Sequence, residues 1–214
     1  MGFLSRLFDP NKAERALRET LDYIQRILDD EQLQVELAPA VLRDMLRSAP
    51  AYDVDPNGTG PFGLLDTNPI PVNGPIGELA YLSRLETHSG QRLLFHRLGS
   101  IATVDVFEAV SFDGSEWFIL FLDMYHPRRS RLAPDGLGIT QDVPQFSGFH
   151  NLCERFPYDF AEKVSARKNS DLRVAYIPIS MIAEPMCACV YNRPLAHKVK
   201  LDILRSRLSS YQIQ

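Results

Sequence analysis

Cysteine is scarce in this sequence, and its scarcity excludes several classes of protein. The 214 residues include only three cysteines, which is too few for a disulfide-stapled secreted domain and is typical of a reducing compartment. No apolar run approaches the ~20 residues that cross a bilayer. The apolar start at residues 1–8 is too short for a secretory signal. We therefore expect a cytoplasmic protein without a transmembrane segment.

An excess of positive charge is also missing. The chain carries 23 basic and 27 acidic residues, a net charge of −4, so general nucleic-acid binding is not expected. The sequence further lacks Gly-x-Ser-x-Gly, Gly-x-x-x-x-Gly-Lys, Gly-x-Gly-x-x-Gly, His-Glu-x-x-His and an EF-hand loop. A serine-hydrolase elbow, a common nucleotide site, a zinc protease and a calcium loop therefore have no support.

Apolar and charged residues occur in ordinary amounts, 45% and 23%, and their spacing predicts three parts. Residues 1–49 form a helical hairpin, because two stretches, 9–30 and 37–48, repeat apolar residues at helical spacing. Residues 50–78 form a loop rich in proline and glycine. Its scattered apolar side chains indicate that it packs back on the body. Residues 79–214 form an α+β domain.

The third part predicts a mainly antiparallel meander sheet with flanking helices. Its segments alternate apolar and polar residues, and Gly99-Ser100 and Asp113-Gly114 supply tight turns between them. Runs of strands bordered by helices are typical of the α+β class. The strands are expected at 79–86, 91–98, 101–112 and 116–126, and the later helices at 150–168 and 195–211.

The two tight turns predict a register. The Asp113-Gly114 turn pairs residues whose numbers sum to 227, and the Gly99-Ser100 turn pairs residues whose numbers sum to 199. Arg97 and Asp123 then lie diagonal to each other on the apolar face. We predict an ion pair between them, since a buried guanidinium needs a carboxylate. A slip of one residue would exchange the two faces of a strand.

Histidines and arginines gather at one edge of the predicted sheet, where the second and fourth strands both end. Guanidinium groups suit carboxylate or phosphate oxygens, and imidazoles transfer protons near neutral pH. The edge therefore predicts contact with an anionic ligand or an acidic partner surface. The residues assigned to binding are Arg97, Asp123, Tyr125, His126, Arg128 and Arg129, and in an enzyme His96 and His126 would be the acid–base pair.

A second constellation contains all three cysteines. Cys153, Cys187 and Cys189 together with His150 would supply four zinc ligands, and His197 is the substitute for His150. Cys-x-Cys is a less usual ligand spacing than Cys-x-x-Cys, and reduced cysteines are often buried as small apolar side chains. The sequence favours structural thiols and no cofactor, with zinc as the alternative.

The segment 66–78, Asp-Thr-Asn-Pro-Ile-Pro-Val-Asn-Gly-Pro-Ile-Gly-Glu, combines turn formers with prolines, but no activity can be attached to it. The favoured hypothesis is a cytoplasmic, non-enzymatic binding or regulatory protein. It would contact a protein partner or a small anionic ligand through the His/Arg edge. One alternative is a small enzyme acting on an anionic substrate, with histidine as acid–base and arginine as the substrate clamp. A structural zinc protein is the other.

Overall fold

The computed structural model describes residues 10–141 and 148–160. Within these residues the chain forms four helices and seven strands, which confirms the α+β class. None of these helices is long and apolar enough to cross a membrane. The predicted helix at 195–211 lies outside the described residues. In chain order the elements are α1 (Pro10–Asp29), α2 (Glu31–Leu37), α3 (Ala40–Ser48), β1 (Ile70–Pro71), α4 (Gly74–Leu82), β2 (Leu85–Thr87), β3 (Leu93–Ile101), β4 (Val104–Ser111), β5 (Trp117–Asp123), β6 (Leu137–Ile139) and β7 (Gly148–Phe149).

The larger sheet is mixed, with the strand order β1-β5-β4-β3-β7. Strands β3, β4 and β5 form an antiparallel meander, as predicted. The two outer strands are parallel to their neighbours, β1 to β5 and β7 to β3. Strands β2 and β6 make a separate antiparallel pair. The sheet is therefore mostly antiparallel, as predicted, but it is mixed because a parallel strand lies at each edge.

Helix α4 occupies the first half of the segment predicted as the first strand, at 79–86, so the prediction is wrong there, whereas Leu85 and Glu86 lie in β2. Asn73 takes the N-cap position and Pro75 lies in the first turn, which is a favourable place for proline. Gly74 has a φ of 76°, a left-handed conformation that glycine adopts at little cost. Most of the helix is buried, so it lacks the apolar stripe by which an amphipathic helix is identified.

The N-terminal helices pack against α4. Leu28 of α1 is buried beside Ala80. Asp30 follows α1 and is the N-cap of α2, since its carboxylate accepts a 2.9 Å hydrogen bond from the Leu33 amide. Residues 31–36, expected as a connection, are therefore helical, and Pro39 separates α2 from α3. Three helices replace the two-helix hairpin of the prediction.

The proline- and glycine-rich stretch packs against the larger sheet. Phe62 and Leu64 join the apolar cluster under α4, and Leu65 joins a cluster on the opposite side of the sheet. The Phe121 amide donates to the Gly63 carbonyl, which attaches the stretch to β5. The same stretch supplies β1 and the start of α4.

Apolar side chains cover both faces of the larger sheet. The face under α4, called the α4 face, carries Phe95, Phe107 and Leu120. The opposite face, called the Phe156 face, carries Leu94 and Val110. Four residues that follow β3 and β4 in the chain cover this second face, and these are Phe149, Cys153, Phe156 and Phe160.

The register between β4 and β5 is as predicted, whereas that between β3 and β4 is not. Val104 pairs with Asp123, which agrees with the sum of 227. The turn before β4 lies at Ala102 and Thr103, however, because Ile101 pairs with Val104. A β-bulge between Arg97 and Gly99 shifts the pairing once more. As a result, His96 lies on the Phe156 face and Arg97 on the α4 face.

Candidate functional site

The three arginines of the predicted edge pair with three different acidic residues. Arg97 Nη2 lies 2.6 Å from Asp105 Oδ1, so the predicted pair with Asp123 is wrong. Tyr125 forms an isolated bridge with Asn73, and its amide donates to Asp123. The two neighbouring arginines diverge: Arg128 Nη1 lies 2.6 Å from Asp53 Oδ1, and Arg129 Nε lies 3.5 Å from Glu31 Oε1.

His126 is buried, and both of its ring nitrogens are engaged. Nε2 lies 3.1 Å from Asp123 Oδ2, and Nδ1 lies 3.1 Å from the Pro50 carbonyl oxygen. The ring also packs 4.7 Å from that of Tyr52. Burial by itself lowers the pKa of His126, but the hydrogen bonds to Asp123 and Pro50 outweigh it, and the pKa is raised. The charged imidazole therefore fastens the loop at residues 50–52 to the end of β5.

Arg129 instead belongs to a cavity that the sequence analysis does not predict. The cavity has a volume of about 130 Å³ and lies between α4, the segment after β5 and the end of β6. Three arginines line it, Arg84, Arg129 and Arg131, and we call it the arginine cavity. The complete lining is Tyr81, Arg84, Arg129, Ser130, Arg131, Ile139, Thr140 and Gln141.

The guanidinium groups of this cavity exceed their acidic partners. Arg84 pairs with Asp29, whereas Arg129 and Arg131 share Glu31. Among the described residues, the buried Nε of Arg84 has no hydrogen-bond partner. Burial lowers the pKa of Arg129, and the neighbouring charges of Arg84 and Arg131 lower it further, although Glu31 opposes them. The site thus brings three cations toward two carboxylates.

His96 lies in a different place, within a buried network on the Phe156 face. The Cys153 amide donates to His96 Nδ1 over 3.0 Å, so Nδ1 carries no proton. Nε2 therefore carries it and donates to Glu108 Oε2 over 2.8 Å, and Trp117 Nε1 donates to Glu108 Oε1 over 2.9 Å. The ring stacks on Phe156 at 4.2 Å. This arrangement stabilises the core, and it offers no nitrogen to an external substrate.

A second set of titratable side chains lies on the α4 face. Glu78 of α4, Asp105 of β4 and His150, just after β7, approach one another so that one ligand atom from each lies within 4.8 Å of the others. His150 Nδ1 is 2.9 Å from Glu78 Oε2, and its Nε2 is 3.9 Å from Asp105 Oδ2. We call these three residues the Glu78 cluster.

The electrostatics of the Glu78 cluster are unfavourable for two charged acids. Burial raises the pKa of Glu78 well above its usual range, and the Asp105 carboxylate raises it further, while Arg97 opposes the shift. Burial lowers the pKa of His150, and the Arg97 guanidinium acts in the same direction. Chemically, the cluster combines two carboxylates with an imidazole, a donor set that suits a divalent cation.

The proposed zinc ligands are only partly within the described residues. Cys153 is buried, and its backbone amide faces His96. His150 lies against Glu78 and Asp105. Cys187, Cys189 and His197 lie outside the described residues, so the zinc hypothesis stays a prediction.

Two residues of these sites escaped the sequence analysis. Glu78 ends the segment 66–78, to which no role was attached, and the only signal was an acid within an otherwise apolar run. Arg84 follows α4 and has no local pattern that separates it from a surface arginine. The roles of both residues depend on tertiary contacts, which the spacing of residues in one sequence does not predict.

Comparisons with protein-family models, with curated proteins and with solved structures gave no match to this chain, so its function has to be inferred from the side chains themselves.

Proposed function

We propose that this protein is a non-enzymatic binding protein that holds a small anionic group between Arg84, Arg129 and Arg131. The observation that carries the proposal is the excess of guanidinium groups around one cavity. Two carboxylates, from Asp29 and Glu31, face these three cations. A third negative charge would complete the balance, and the ligand can supply it.

The size of the cavity indicates what kind of anion fits. Its volume of about 130 Å³ is well below the roughly 300–1,000 Å³ of pockets that enclose drug-sized ligands. It suits a single phosphate or carboxylate group, and guanidinium forks bind both in a bidentate manner. Ser130 and Thr140 also line the cavity. The ligand is therefore a small anion or the anionic end of a larger molecule or partner.

The enzymatic alternative draws no support from its two histidines. His96 is fully buried with both nitrogens engaged, and His126 is engaged by Asp123 and Pro50. A general acid or base has to reach the proton that it transfers. Binding is thus the function that the geometry favours, and a cytoplasmic location remains part of the proposal.

Thermal unfolding in phosphate tests the proposal. The full chain is heated in inorganic phosphate and in chloride of equal ionic strength and pH. At a phosphate concentration ten times the dissociation constant, binding stabilises the folded state by about 1.4 kcal/mol. For a chain of this size we expect a rise in Tm of about 3–6 °C relative to chloride. Acetate in a third series distinguishes phosphate from carboxylate recognition.

The neighbouring arginines provide a matched control. Arg129→Gln removes a cation from the cavity, whereas Arg128→Gln removes one that pairs with Asp53 and does not line it. We expect the phosphate effect to vanish in Arg129→Gln, to weaken in Arg129→Lys and to persist in Arg128→Gln. The proposal fails if neither anion raises the Tm of the wild type, or if all three variants respond equally.

A further inference from the structure

The Glu78 cluster is distinct from the arginine cavity and is assembled from three separate elements. Glu78 comes from α4, Asp105 from β4 and His150 from the residue after β7. Gly148 allows β7 to lie close to β3, because a Cβ at this position would lie 2.0 Å from the Phe95 ring. That close approach places His150 across from Arg97, on the α4 face of the sheet.

Glu78 is a buried carboxyl group, and the described residues do not balance the charge of its ionised form. Its side chain is 0% exposed, and neither oxygen has a hydrogen bond of good geometry among the described residues, although His150 Nδ1 lies 2.9 Å from Oε2. Asp105, 3% exposed, gives one oxygen to Arg97 and leaves Oδ2 without a hydrogen bond in the same set. One guanidinium therefore faces two carboxylates. A carboxylate buried in this way is costly unless a cation or a proton accompanies it.

We propose that Glu78, Asp105 and His150 bind one divalent cation of the first transition row, with Mn²⁺ and Zn²⁺ as the best candidates. Carboxylate and imidazole ligands bind such ions at about 2.0–2.2 Å. Ligand atoms around one ion then lie roughly 3–3.5 Å apart, a separation set by those bond lengths. One ligand atom from each of the three residues lies within 4.8 Å of the other two, so rotation of the side chains would bring these atoms to this separation.

The donor set also indicates the class of ion. Two carboxylates and one imidazole form a mixed oxygen–nitrogen site, which favours Mn²⁺, Fe²⁺ or Zn²⁺ over the all-oxygen preference of Ca²⁺. Three protein ligands leave coordination positions for water, and the His150 side chain, 31% exposed, offers a route to solvent. A bound cation would cancel the two carboxylate charges and join α4, β4 and β7.

Mn²⁺ titration of the full chain, stripped of metal with a chelator, tests this site. Unbound Mn²⁺ is measured by electron paramagnetic resonance. Mn²⁺ is the chosen probe because it prefers oxygen and nitrogen ligands over thiolates, so the cysteines do not compete. We expect one Mn²⁺ per chain. Loss of a residue that merely supports a metal site costs about 10–100-fold in affinity, so loss of a direct ligand should cost at least about 100-fold.

Two ligand variants and two controls give the answer. Glu78→Gln and His150→Gln should lose Mn²⁺ binding, whereas Glu86→Gln and His88→Gln, an acid and a histidine outside the cluster, should keep it. In metal-stripped protein, Glu78→Gln should have a Tm equal to or above that of the wild type, because it removes the repulsion from Asp105. If Glu78→Gln fails to fold, Mn²⁺ binding by His150→Gln tests the site instead, because a partly exposed side chain can be replaced with less damage to the fold.

Either of two results would overturn the site. One is a folded, metal-stripped wild type that binds no Mn²⁺ at millimolar concentration, which would mean that a shared proton links Glu78 and Asp105. The other is Mn²⁺ binding that survives unchanged in both ligand variants, which would place the ion elsewhere. Neither result bears on the phosphate experiment, so the metal site and the arginine cavity are tested independently.

Discussion

Replacing Glu108 by glutamine tests the proton assignment within the His96 network. Glu108 Oε2 accepts from His96, and Oε1 accepts from Trp117. Glutamine has the same shape but presents one oxygen and one NH₂ group. In either orientation, its NH₂ faces an N–H donor of His96 or of Trp117. The substitution therefore changes hydrogen-bond polarity while it keeps the volume of the core.

The expected loss follows from the bonds involved. A hydrogen bond to a charged group contributes about 1.5–3 kcal/mol, and a buried donor without an acceptor costs about 1–3 kcal/mol. Removing a buried charge offsets part of this loss. We therefore expect Glu108→Gln to lower the free energy of unfolding by about 1–3 kcal/mol. For a chain of this length, that corresponds to a fall in Tm of about 2–12 °C.

Urea unfolding of four proteins measures the effect and its cause. They are the wild type, Glu108→Gln, Trp117→Phe and the double variant. Trp117→Phe removes one donor, so it should cost less when glutamine is already present. We expect the double variant to be more stable than the sum of the single losses by about 1–2 kcal/mol. Strict additivity, or a Glu108→Gln protein as stable as the wild type, would refute the assignment of the proton to His96 Nε2.

Two further substitutions test the His126 ion pair and the position of β7. Because folding raises the pKa of His126, its pair with Asp123 stabilises the protein fully below the unfolded pKa of about 6.5. This contribution disappears as pH rises through the folded pKa, so His126→Gln should cost more stability at about pH 6 than at about pH 9. Urea unfolding at both pH values checks this, and equal losses would contradict it. Gly148→Ala places a Cβ 2.0 Å from the Phe95 ring and should cost about 1–3 kcal/mol. Gly138→Ala, whose Cβ meets its nearest atom at 3.9 Å, is the control, and equal stability of the two variants would refute the packing of β7 on β3.

The two hairpin turns show which part of the fold the sequence predicts and why the rest escapes it. Asp113-Gly114 lies in the tight connection before β5, and the predicted register between β4 and β5 is confirmed. Gly99-Ser100 also consists of residues that favour turns. In the structure, however, Gly99 lies at a β-bulge and the chain turns at Ala102. A bulge and a turn both favour glycine, so residue type does not distinguish them.

The error in one turn accounts for the wrong partners predicted for Arg97 and His96. Side chains alternate across a strand, so the shift of β3 moved Arg97 from Asp123 to Asp105 and brought His96 beside Glu108. Arg129 is predicted to bind an anion from its residue type and its place at the sheet edge, and it lines the arginine cavity. The residues near it there, Glu31 of α2 and Arg84 in the segment after α4, come close because the helices pack on the sheet.

The two faces of β4 bury similar side chains with opposite degrees of satisfaction. On the Phe156 face, both oxygens of Glu108 accept hydrogen bonds. These bonds satisfy the buried carboxylate, so a structural role in the core accounts for it. On the α4 face, within the described residues, neither oxygen of Glu78 accepts a hydrogen bond of good geometry, although the fold buries the side chain completely. Packing alone gives no reason for a carboxylate at this position, because an amide or apolar side chain would avoid the cost of burying the charge. A cation held with Asp105 and His150 supplies that reason, and it predicts that metal removal destabilises the wild type but leaves Glu78→Gln unchanged.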